Sequence, residues 1–156
     1  DGNLNNGLPP MLVDNAGAAG LNSGLMMPQY TAAALVLENQ ALSSPDSVLS
    51  IPTSGSQEDH NANAMNASKH VSQIIKNVQH ILAIELYTAS RALDLRLRMN
   101  PGKNPGIITG KVHQLIRKHV PFTIGDAWWF PEIENVKELV IENKITELLD
   151  DVQVDS

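Results

Sequence analysis

Between Ser56 and Asn100 the sequence holds one helical pattern without a breaker, and its length limits the folds open to the chain. Apolar residues recur at Val71, Ile74, Ile75, Val78, Ile81, Leu82, Leu86, Ala89 and Leu93, the three-and-four spacing of a helix face. Ser56-Gln57-Glu58-Asp59 has the form of a capping box, with Ser56 as N-cap and Asp59 three residues on. The first interruption is Asn100-Pro101-Gly102. A helix is therefore predicted over 56–99, and the stretch from Asn61 to Met99 would by itself run about 58 Å. A compact chain of 156 residues has a radius of gyration of about 15 Å and a diameter of roughly 40 Å. Such a helix overhangs its own domain and leaves an apolar stripe in water, the mark of an interface with partners that the chain does not supply.

The rest reads as helix and irregular backbone. Residues 1–24 are rich in Asn and Gly around Pro9-Pro10, which predicts an irregular segment, since Gly and Asn tolerate positive φ and proline breaks regular structure. It is not simply disordered, because Leu4, Leu8, Met11, Leu12 and Val13 call for burial. An alanine-rich helix is predicted over 25–42, stopped before Ser43-Ser44-Pro45, with a Ser/Thr/Pro loop over 43–55. Two further helices are expected: 107–120, ended by Pro121, and 131–149, with Pro131 in its first turn. With no period-2 strand and no internal repeat, the fold class is all-α.

Composition narrows the function classes. A formal net charge of −6 disfavours a nucleic-acid partner, which would select a basic stripe. No apolar run approaches the ~18 residues of a membrane span, and there is no secretory signal pattern. The absence of cysteine removes a disulfide framework and thiolate ligands. A cytoplasmic location is expected. His60, His70 and His80 stand ten residues apart, so successive members fall on different helix faces. With no His-Glu-x-x-His motif, no metal site is expected. Neither a nucleophile elbow nor a phosphate-binding loop occurs. Glu58 and Asp59 at a predicted helix start suit the positive end of the macrodipole, and Glu85 beside the apolar stripe suits a carboxylate paired inside a helix bundle.

Several ordered segments resemble one family: Asn5-Asn6-Gly7-Leu8-Pro9-Pro10, Leu21-Asn22-Ser23-Gly24-Leu25-Met26-Met27, Thr31-Ala32-Ala33-Ala34-Leu35-Val36 with Glu38-Asn39, Ser50-Ile51-Pro52-Thr53-Ser54, Gln57-Glu58-Asp59-His60, Ala83-Ile84-Glu85-Leu86 and Ala92-Leu93-Asp94-Leu95-Arg96. Together they resemble the C-terminal third of the aromatic amino-acid ammonia-lyases, most closely the histidine ammonia-lyases. The resemblance implies a long-helix bundle of the aspartase-like type, of which this is the C-terminal portion. It also implies homotetramers with shared active sites, and elimination of ammonia from an aromatic amino acid, histidine giving urocanate. The electrophile in that family is a methylidene-imidazolone prosthetic group made from an internal Ala-Ser-Gly, with a tyrosine elsewhere as base.

No Ala-Ser-Gly occurs in this sequence. Thr53-Ser54-Gly55 and Asn22-Ser23-Gly24 match other family segments. The resemblance therefore implies a piece, opening at Asp1 rather than Met, that does not form the prosthetic group and is inactive without the N-terminal portion of the enzyme and the other subunits. What it keeps by resemblance is Glu58, the glutamate that faces the substrate, preceded by Gln57, with Met26 and Tyr30 at positions that line the side-chain pocket. A buried carboxylate there would hold an imidazole or ammonium in a fixed orientation. Phenylalanine- and tyrosine-selective relatives commonly carry glutamine at the Glu58 position. Asn61-Ala62-Asn63-Ala64-Met65-Asn66 departs from the Val-Ser-Met-Gly type run of histidine enzymes, which leaves a phenylalanine or tyrosine lyase and an aminomutase open. A non-catalytic helical scaffold is the alternative of a different class.

Overall fold

The computed structural model describes residues 4–14, 20–62 and 64–150. Residues 1–3 and 15–19 of the irregular opening segment, and Asn63, lie outside the described residues. Five α-helices follow in chain order: α1 (Met26–Leu42), α2 (Ala64–Met99), α3 (Ile107–His119), α4 (Trp129–Ile141) and α5 (Lys144–Asp150). Among the described residues no extended strand forms.

The start of α2 differs from the sequence expectation. Ser54, Gly55 and Ser56 all have positive φ (54°, 63° and 67°), and the backbones of Thr53 and Glu58 exchange hydrogen bonds of 3.0 and 3.3 Å across the turn. Three successive left-handed residues cannot enter a right-handed helix, so Ser56 is part of a tight hairpin-like turn rather than an N-cap. Regular helix begins eight residues later, at Ala64. It then runs 36 residues, or about 54 Å.

The buried face of α2 is also not the aliphatic stripe. Ala83, Ile84, Tyr87, Ser90, Arg91 and Leu95 point inward, whereas Val71, Ile75, Val78 and Leu82 are exposed. The inward residues meet Leu25 ahead of α1, Ile116 and Val120 from the end of α3, and Ile133, Val136 and Leu139 of α4. This core occupies the C-terminal half of α2 only. Burying each such side chain contributes about 1.5–3 kcal/mol, so the half of α2 that lacks them is held more lightly. There the link to α1 is polar: buried Asn77 donates to Glu38 Oε2 and Asn39 Oδ1, both at 2.9 Å.

The predicted 131–149 helix is two helices. Asn143 adopts φ 58° and donates its N–H to Val140 O at 3.2 Å, the left-handed closure that ends a helix. Its own carbonyl then accepts the N–H of Glu147 at 3.0 Å, which starts α5. At the other end α4 begins at Trp129, with Pro131 inside its first turn, where a missing N–H costs nothing. The basic residues Arg117, Lys118 and His119 in the last turn of α3 complement its negative end before Pro121 stops it.

Candidate functional site

The first two turns of α1 carry two of the sequence-predicted pocket residues. Met26 is its first residue and is half-buried, and Tyr30 stands one turn further along, 66% exposed. A four-residue separation sets both on one face of the helix. Gln57 and Glu58 sit in the 53–58 turn, both exposed. The Thr53 hydroxyl donates to Glu58 Oε2 at 3.1 Å, and the Thr53–Glu58 backbone bridge fixes the base of the turn. The carboxylate is thus tethered but open to water, not enclosed as its sequence role suggested.

A groove of 570 Å³ runs under the start of α1, walled by Leu12, Leu25, Gln29, Ile84, Thr88 and Ala89 among others. None of Met26, Tyr30, Gln57 and Glu58 lines it. Glu85 stands exposed between this groove and a second one under α4 and α5. It is not engaged in an ion pair among the described residues, unlike the paired carboxylate expected from its position.

The segment leading into α1 is held from a distance. Asp126 accepts the N–H groups of Ser23 and Gly24 with its two carboxylate oxygens, each at 2.7 Å, and its own N–H donates to Asn22 Oδ1 at 3.2 Å. The loop carrying Asp126 is fixed in turn by Arg91, which is 1% exposed. Arg91 donates to Leu12 O at 2.9 Å, Thr123 O at 2.8 Å and Gly125 O at 3.4 Å. Its guanidinium lies 3.9 Å from the buried carboxylate of Asp14 and against the rings of Phe122 and Trp129. Asp14 also accepts the Gly125 N–H at 3.0 Å. A charge this deep needs hydrogen bonds and a counter-charge, and here each of the three guanidinium nitrogens donates to a carbonyl from one of two separated segments beside the Asp14 carboxylate. Sequence reasoning missed Arg91, Asp14 and Asp126. The available signal was the helical spacing of Arg91 with Ile84, Tyr87 and Leu95, which puts a cation on an apolar face.

Several other ionisable groups pair with one another across the helices. His80 Nε2 meets Glu134 Oε1 at 2.5 Å, and Lys137 donates to the other oxygen of Glu134. His113 Nε2 and Arg117 Nε take the two oxygens of Asp94 at 2.8 and 2.7 Å. His70 Nδ1 lies 3.0 Å from Asp46 without hydrogen-bond alignment. His70, His80 and His113 thus sit on three separate carboxylates, His119 Nδ1 lies 2.9 Å from the Leu115 carbonyl, and no group of three or more metal-ligating side chains gathers among the described residues. Tyr87 donates its hydroxyl to Glu132. Burial, then the Glu132 hydrogen bond and charge, push its phenol far above the ordinary range. A proton held so tightly makes Tyr87 a structural donor, unsuited to act as a base near neutral pH.

Comparison with known proteins gives a consistent set of likenesses. The aromatic amino acid lyase family model matches residues 1–118. A histidine ammonia-lyase of Treponema denticola is 42% identical over 147 residues, 94% of this chain and 28% of the relative. The crystal structure of histidine ammonia-lyase from Trypanosoma cruzi superposes with a TM-score of 0.86 at 33% identity, covering 96% of this chain and 28% of that one. Tyrosine aminomutase from Streptomyces globisporus also reaches 0.86, at 28% identity, over 99% of this chain and 29% of its own. The chain thus spans a little over a quarter of the length of these relatives.

Proposed function

The chain belongs to the aromatic amino acid lyase family, and we propose that it serves as the C-terminal part of a histidine ammonia-lyase, contributing to the non-oxidative elimination of ammonia from L-histidine to give urocanate. The observation that carries this is the 42% identity to a histidine ammonia-lyase over nearly the whole chain. Glutamate rather than glutamine at position 58 supports histidine over phenylalanine or tyrosine. On this proposal the complete enzyme is a cytoplasmic homotetramer, and these 156 residues are inactive by themselves.

Glu58 would receive the cationic or hydrogen-bond-donating groups of the substrate, with Gln57 beside it and Met26 and Tyr30 against the substrate side chain. In water two unit charges 4 Å apart attract by only about 1 kcal/mol, against roughly 4 kcal/mol at the lower effective dielectric near a protein surface. An exposed Glu58 is therefore a weak anchor until other segments enclose it, which supports a site completed from outside this chain. The methylidene-imidazolone group of the family would supply the electrophile in the complete enzyme. With no Ala-Ser-Gly among these residues they do not form it, and no step through it is assigned to them.

In the complete enzyme, Glu58→Gln is expected to lower histidine turnover about tenfold or more, the scale on which one electrostatic contact at a reacting centre acts. Unchanged kinetics would reduce Glu58 to a partner of Thr53. The likeness to a tyrosine aminomutase favours a second reading, isomerisation of an aromatic amino acid. Formation of a β-amino acid without urocanate would select it.

A further inference from the structure

We propose that Asp126 is a positioning residue for the substrate pocket, acting through the backbone of Ser23 and Gly24 to set where α1 begins and so where Met26 and Tyr30 stand; this rests on the reading of those two residues as pocket-lining.

Helix α1 has no start signal of its own. Leu25 occupies its N-cap position without a side-chain cap, and its first turn carries no acidic residue. The Asp126 carboxylate supplies both missing elements from 103 residues away. Its two oxygens take two N–H groups ahead of the helix at 2.7 Å, the length of strong charge-assisted bonds, and its negative charge sits at the positive end of the helix dipole. The Asn22 side chain returns a bond to the Asp126 N–H. That reciprocity is the logic of a capping box, here assembled from two distant segments.

The turn so held has little freedom. Gly24 lies at φ +56°, and a Cβ there would stand 2.3 Å from Met11 O. Leu25 N donates to that same carbonyl at 2.9 Å. Behind Asp126 the loop is rigid, because Arg91 and Asp14 hold Thr123 and Gly125. A chain of direct bonds therefore runs from α2 through Arg91, the 123–126 loop and Asp126 to Gly24, two residues before Met26. The family model stops at residue 118, so this loop lies beyond the stretch which that model matches.

The test uses the complete enzyme with Asp126→Asn, which keeps the size and one acceptor, beside Met26→Ala as a direct pocket change. Asp126→Asn is expected to speed amide hydrogen exchange over residues 22–26 about tenfold or more while α2 and α4 keep their protection. It should raise KM for histidine several-fold with a smaller change in kcat, as Met26→Ala does, and Asp126→Glu should restore part of both. Unchanged exchange at 22–26 overturns the proposal. So does faster exchange with unaltered kinetics, or loss of protection spread over α2 and α4, which would mark Asp126 as a general stabiliser. Should the wild-type enzyme not turn over histidine, the functional reading fails by itself, and the exchange measurement still decides the clamp.

Discussion

Arg91 shows how one side chain organises two distant stretches of backbone. Its donors end on Leu12, Thr123 and Gly125, and its charge is balanced by Asp14, itself buried. Arg91→Met keeps much of the volume and removes the cation, leaving Asp14 buried without its counter-charge and three carbonyls without donors. Removing one partner of a buried pair typically costs about 3–5 kcal/mol, and the midpoint of urea unfolding of the complete enzyme should fall accordingly. Arg91→Met combined with Asp14→Asn should recover part of the loss, because the uncompensated charge is then gone. A midpoint unmoved by Arg91→Met would show the network to be energetically idle.

Helices α2 and α4 carry most of the packing, and Glu134 ties them across the interface through His80 while Lys137 holds its second oxygen. Burial pushes the Glu134 carboxyl up, but the Lys137 and His80 hydrogen bonds and charges outweigh it and hold it below the ordinary glutamate range. A depressed folded value means that the contribution to stability is present above the unfolded pKa of about 4.3 and is lost as pH falls through the folded value. Glu134→Gln should therefore lower thermal stability at neutral pH, where the carboxylate holds both partners, and change little in strong acid, so that the acid limb below about pH 5 flattens, as followed by calorimetry. An unaltered acid limb would exclude Glu134 as a contributor.

At this same scale, what could be read from the sequence divides by distance along the chain. Pro45, Pro101 and Pro121 act within a residue or two, so the all-helical architecture and the ends they mark were legible. The left-handed turns at Ser54 and Ser56 were not, because serine has no preference for that region and the surroundings impose it, whereas Asn143 is a residue type that tolerates it. Nor was the inward face of α2, which depends on what α1 and α4 bring to it: Tyr87 and Arg91 are buried while Val71 and Ile75 stay in water. Of the candidate site, the residue types at 26, 30, 57 and 58 were readable. The clamp was not, since Ser23 and Asp126 are linked only by the finished fold.

As a whole, the molecule exposes apolar surface that a self-sufficient domain would cover. Along α1, Met27, Tyr30, Val36 and Leu37 face outward, on a helix with Glu38 as its single charged residue. The N-terminal half of α2 adds Val71, Ile75, Val78 and Leu82, and the entry to α4 adds Trp128 and Phe130. Apolar area on several sides of a helix belongs inside a larger assembly. The 156 residues expressed alone should therefore self-associate and bind an apolar dye such as ANS. A monodisperse, dye-free monomer by sedimentation would count against assembly through these faces.

The bond from Asp126 to Ser23 and Gly24 also has a consequence in time. A ribosome adding roughly 5–20 residues per second needs about 5–20 s to travel the 103 residues between Ser23 and Asp126. During that interval the entry to α1 has no partner for its amides, and the apolar helix behind it is already made. The nascent chain thus carries an unanchored entry to α1 until Asp126 is added, and a stop before that residue would leave α1 without its start.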